Sequence, residues 1–104
     1  MAETLFETVA PGRCRVVGEM GFAQVSGLLA ASLPAFAEAG EALEVDLAGV
    51  TRADSAGLAL LIEWMRRARG AGKTIVFRAV PDQLRAIARV SDLEGILPVE
   101  AAAG

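Results

Sequence analysis

Between Leu43 and Arg69 the spacing of apolar residues changes from two to about 3.6, and this change constrains the fold more than any other feature of the chain. Leu43, Val45 and Leu47 alternate with Glu44 and Asp46, which predicts a short strand with its odd-numbered residues on one face. From Gly57 to Arg69, Leu58, Leu61, Ile62 and Met65 recur at i, i+3, i+4 and i+7, the stripe of an amphipathic helix. A loop over Ala48–Ala53 joins the two, and Asp54 or Ser55 is the natural N-cap. Glu63, Arg66, Arg67 and Arg69 occupy the opposite face, with Glu63 four residues before Arg67 and basic groups in the last turn. Gly70-Ala71-Gly72 ends the helix, and Lys73–Arg78 reads as the next strand. A strand, a helix and a returning strand make a crossover that is right-handed and lays the two strands parallel.

The flanking segments extend this unit. Thr4–Val9 and Arg13–Gly18 are β-prone runs separated by Ala10-Pro11-Gly12, which predicts an N-terminal hairpin. Phe22, Val25, Leu28, Leu29, Leu33 and Phe36 recur at helical spacing up to Ala39, broken by Gly27 and Pro34, and Gly40 closes the segment. The expectation is one helix kinked before Pro34, or two short pieces. Pro81 opens a further helix with Leu84, Ile87 and Ala88 inward, and Leu93–Leu97 adds a last turn. The predicted architecture is α/β, a small mixed sheet in the order ββαβαβα covered by helices. It forms a single domain over residues 1–104, with a core of about 4–98 and an Ala-rich end, 99–104, that frays.

Several function classes are disfavoured by composition. Net charge is -3 and the ten basic residues are dispersed, so no positive field for a nucleic acid is expected. Cys14 is the single cysteine and histidine is absent. That removes intramolecular disulfides, Cys/His zinc sites and His-dependent nucleophiles, and no pattern points to a metal or a cofactor. The N-terminal residues lack a basic and apolar leader, and no apolar run approaches the roughly 18–20 residues of a membrane span. A cytoplasmic protein without membrane insertion is the expectation.

Gly72-Lys73-Thr74 imitates the end of a phosphate-binding loop. That loop runs from a strand into a helix, whereas this stretch runs from a helix into a strand, and Arg67 stands where its first glycine belongs. Ser55 at a strand-to-helix turn imitates a nucleophile elbow, but the preceding glycine and the histidine are missing. No catalytic residue is therefore expected. Asp54 and Ser55 have two readings: they satisfy the free amides of the helix start, or they form an exposed contact where an added or approaching phosphoryl group would sit near the helix dipole. Such a group would carry about two negative charges and would repel a bound partner. Cys14 reads as a small apolar strand residue and Asp46 as a cap of its strand end. Trp64 flanks the Leu58 stripe, either at the core margin or as an aromatic anchor for a partner. Arg66, Arg67 and Arg69 read as a solvated face, or as a contact for an acidic partner or phospholipid headgroups.

Val45-Asp46-Leu47 followed by Val50-Thr51-Arg52-Ala53-Asp54-Ser55-Ala56-Gly57-Leu58-Ala59-Leu60-Leu61 resembles the signature of STAS domains. The helix start at Gly57, the run Val80–Val90 and the ending Leu93-Glu94-Gly95-Ile96-Leu97-Pro98 are similar to the MlaB type more than to the anti-sigma factor antagonists. The resemblance runs from Leu5 to about Pro98. It implies a non-catalytic cytoplasmic subunit that binds the MlaF-like ATPase of an MlaFEDB-like ABC transporter, together with a membrane permease. Such a complex moves phospholipids between membranes and maintains outer-membrane lipid asymmetry, which places the subunit peripherally at the inner membrane. The expected partner contact centres on Thr51, Arg52, Asp54, Ser55 and Gly57, with Leu28 of the first helix at its flank. In the antagonist branch, the alternative, Ser55 would be the phosphorylation site and an anti-sigma factor serine kinase the partner. Ala56 departs from the Asp-Ser-Ser/Thr-Gly of that branch and weakens the phosphoswitch reading.

Overall fold

The computed structural model describes residues 4–98; the frayed end expected at 99–104 lies outside them. The elements are β1 (Leu5–Ala10), β2 (Arg13–Met20), α1 (Val25–Glu38), β3 (Ala42–Ala53), α2 (Ser55–Gly70), β4 (Thr74–Arg78), α3 (Asp82–Val90) and a 3-10 turn at Glu94–Ile96. One four-stranded sheet holds them in the order β1-β2-β3-β4. The hairpin β1/β2 is antiparallel, and the pairs β2/β3 and β3/β4, each linked through a helix, are parallel. The predicted mixed sheet and order ββαβαβα are therefore present.

Alternation along each strand divides the sheet into two unlike faces. Cys14, Val16 and Met20 of β2, Leu43, Val45 and Leu47 of β3, and Ile75 and Phe77 of β4 are buried. All but Cys14 join Leu28 and Phe36 of α1, Leu60, Leu61 and Trp64 of α2, and Leu84 and Ala88 of α3 in one core. The residues between them form the outer face, which is laced by ion pairs. Arg15 meets Glu7 at 3.1 Å, and Glu44 receives both Arg13 at 3.1 Å and Arg78 at 3.3 Å.

The structure revises three of the expectations. First, β3 does not stop at Leu47: residues 48–53, expected as a loop, continue beside β2 to the pair Met20/Ala53. Two register shifts interrupt this stretch, and a side chain on Gly49 would come within 3.0 Å of the Val16 carbonyl, so the local alternation that marks a strand is lost. Second, α1 begins at Val25, leaving Phe22 outside the helix and 84% exposed. Of the two forms expected around Pro34, the single helix is the one present: α1 continues through it, and Ala30, whose carbonyl loses its usual donor, lies on the exposed side with Pro34. Third, Trp64 is completely buried, which excludes it as an anchor for a partner. Its rings pack against Phe6 and Phe36 at centroid distances of 5.7 and 6.0 Å, and its indole N–H donates to the Ser32 hydroxyl at 2.9 Å. Glu63 accepts from Arg67 at 2.8 Å as expected, whereas Asp46, expected to cap a strand end, lies within β3 and accepts from the Ala48 amide at 2.8 Å. Pro81 stands one position earlier than expected, at the N-cap of α3.

Candidate docking site

β2 and β3 end side by side, with Met20 paired to Ala53, so the segments that follow them meet at one end of the sheet. After β2 the chain turns through Gly21–Gln24 into α1; after β3 it enters α2 directly through Asp54. Asp54 keeps an extended backbone and caps α2, one carboxylate oxygen accepting from the Ala56 amide at 2.8 Å. Its other oxygen accepts from the Phe22 amide at 3.1 Å. One side chain thus closes a helix start and ties down the neighbouring loop. These amides, that of Phe22 foremost, hold the Asp54 carboxyl below the usual carboxylate range because they favour the ionised form.

Two amides complete the bracing. The Gln24 side chain accepts from the Gly21 amide at 2.9 Å, which fixes the loop from within. The Gln83 side chain, from the first turn of α3, accepts from the Ala53 amide at 2.8 Å. Three segments distant in sequence are therefore held together around a surface hollow of about 490 Å³ bordered by Glu19, Phe22, Arg52, Asp54 and Gln83.

The expected contact residues fall into two groups. Thr51, Arg52, Asp54 and Ser55 are exposed together at this end, Ser55 as the first residue of α2. Gly57 and Leu28 are not surface residues. A Cβ on Gly57 would stand 2.5 Å from the Met20 carbonyl and 3.3 Å from the Met20 side chain, so the glycine lets α2 close onto β2. Leu28 is 3% exposed and packs α1 into the core, because it faces the sheet one turn before Ser32. Neither offers a side chain to a partner. Phe22, Gln24 and Gln83 were not anticipated: Phe22 fits the spacing of the helix that follows it, and the two glutamines act across long sequence separations that no local pattern reports.

Asp54 is poorly suited to proton transfer. Both Asp54 oxygens are engaged by backbone donors and its carboxyl is a weakened base. Among the described residues no group of three or more His, Cys, Asp or Glu converges as metal ligands would. Cys14 is buried in β2, and burial pushes its thiol up against a smaller opposing effect of its bond with Thr8. No helix among the described residues is long and apolar enough to cross a membrane.

Residues 4–98 match the family described as "Mlab, STAS domain". Solved structures share the fold. A protein described as an anti-sigma factor antagonist from Thermotoga maritima superposes with a TM-score of 0.74 at 10% identity, covering 96% of this chain and 87% of its own. The anti-sigma factor antagonist SpoIIAA in its unphosphorylated form gives 0.71 at 16% identity, with 96% and 90% covered. The phosphorylated form of SpoIIAA, a Bacillus cell fate determinant, gives 0.65 at 16% identity, with 96% and 93% covered. No curated protein matches the chain in sequence.

Proposed function

The chain belongs to the MlaB-type STAS domain family, and from that premise we propose that it is a non-catalytic subunit that docks on the ATPase of an ABC transporter for phospholipids. In this reading it binds an MlaF-like ATPase in the cytoplasm, reaches the inner membrane through that complex and its permease, and supports assembly or ATP hydrolysis for intermembrane lipid transport and outer-membrane lipid asymmetry. The contact is the exposed group Thr51, Arg52, Asp54 and Ser55. The observation that carries the proposal is the bracing of this surface: Asp54 joins the α2 start to the Phe22 loop, and Gln83 joins it to α3. A surface fixed before a partner arrives loses little freedom on binding.

Capture of the tagged chain from its native cells, followed by mass spectrometry, tests the pathway. Recovery of an ABC ATPase with a membrane permease supports the proposal; recovery of a serine kinase acting as an anti-sigma factor overturns it and makes Ser55 a phosphorylation site. Ser55→Glu tests the surface. It should abolish binding of the recovered ATPase while shifting the melting temperature by no more than about 2 °C, since a carboxylate at a helix N-terminus is itself favourable.

A further inference from the structure

We propose that Phe22 is the apolar anchor of this docking surface, seated in an apolar socket of the partner protein while Arg52 meets a carboxylate at the socket's edge. The inference rests on the docking reading above and identifies the chemistry of the partner's side. Of the four phenylalanines, Phe6 and Phe36 pack around Trp64 and Phe77 is fully buried, whereas Phe22 is 84% exposed. Its exposure does not come from a loose segment. The Phe22 amide is tied to Asp54, the preceding amide to Gln24, and the Gly21 carbonyl accepts from the amides of Gln24 at 2.9 Å and Val25 at 3.1 Å. A large apolar side chain on a fixed backbone retains its hydrophobic driving force and has only its own rotamers left to order when it docks.

Arg52 borders the same hollow. Arg13, Arg15, Arg67 and Arg78 each meet a carboxylate within the chain, whereas among the described residues Arg52, like Arg69 and Arg85 away from this hollow, forms no ion pair, although Glu19 lies across from it on β2. Its guanidinium donors are available to an acidic group, and aromatic and arginine side chains are the types enriched at the centre of protein interfaces. The surroundings favour a protein over a lipid surface. Glu19 and Asp54 border the hollow, so a broad anionic headgroup layer would face two negative charges, whereas a single carboxylate on a protein need reach only the Arg52 guanidinium, in directional paired geometry.

The test is a titration of the purified ATPase recovered by capture against the wild-type chain and Phe22→Ala, Phe22→Leu, Arg52→Glu and Ser55→Glu, with a thermal melt of each. Phe22→Ala should weaken binding at least about 30-fold, as an interface anchor does, with an unchanged melting temperature. Phe22→Leu should recover most of the affinity, and Arg52→Glu should also weaken it. If Phe22→Ala binds within about threefold of wild type while Ser55→Glu abolishes binding, the anchor is overturned and the docking reading stands. Unchanged binding by both variants, or a wild-type chain that captures no ATPase, overturns both. Intact ATPase binding by Phe22→Ala with loss of sedimentation on anionic phospholipid vesicles would assign the ring to a membrane and overturn the anchor.

Discussion

Asp54 divides its carboxylate between two amides 34 residues apart, those of Phe22 and Ala56, and its titration should therefore register in folding. Its folded pKa is lowered, so its contribution is complete above the unfolded value, near 3.8, and is lost as pH falls through the lower folded value. Asp54→Asn should melt below wild type at neutral pH, and the gap should narrow as the pH is taken below that unfolded value. A gap that stays constant from neutral to acid pH would show that the charge contributes nothing. Half of this behaviour is legible in the sequence, because an Asp before an apolar helix reads as a cap. The bond to Phe22 is not, since it depends on how β2 and β3 terminate together. The same limit explains the reading of Phe22 as part of the helical stripe: periodicity reports spacing, not where the first helical hydrogen bond forms. It also explains Gly57, whose glycine requirement lies in the opposing Met20 carbonyl.

Among the elements, α1 depends on a residue outside itself. It has no basic residue in its last turn, and the Lys73 ammonium, arriving just before β4, donates to the carbonyls of Phe36 and Ala39. The Gly-Lys-Thr that imitates a phosphate loop thus places a cation at the negative end of a helix. Lys73→Met, which keeps an apolar stem, should destabilise the fold by about 1–2 kcal/mol in urea titration. A loss within error would mean that water serves those carbonyls equally well. The α2 stripe shows why helical spacing gives an element's existence better than its orientation. Leu58 and Leu61 are buried as expected, yet Leu60, Trp64 and Ala68 are buried too. The buried arc is wide because α2 packs against α1, α3 and the sheet together. Its surface pair Glu63–Arg67 was readable because both members lie on one helix, four residues apart.

For the molecule as a whole, the layer arrangement was legible because the period of the apolar residues changes between strands and helices and a Pro-Gly turn marks the hairpin, whereas the centre of the core was not. Trp64 and Ser32 are both fully buried and come from different helices. Ser32 donates in turn to the Leu29 carbonyl at 2.7 Å, so the indole, the hydroxyl and the backbone form a closed polar chain in an otherwise apolar interior. Ser32→Ala leaves the indole N–H without its acceptor and should lower global stability by about 1–3 kcal/mol. Denaturant unfolding followed by the fluorescence of Trp64, the sole tryptophan, measures it directly. A loss below about 0.5 kcal/mol would indicate that the hydroxyl is dispensable. The outer face of the sheet carries a different consequence. Glu44 bridges Arg13 on β2 and Arg78 on β4, with Leu43 and Val45 on either side of it buried beneath the sheet. If β3 slid by one residue, these leucine and valine side chains would turn to water, Glu44 would point inward, and both bridges would break. Misaligned strands would lose hydrophobic burial and charge pairing at the same step, and so would separate and re-pair before the helices could seal the error in place.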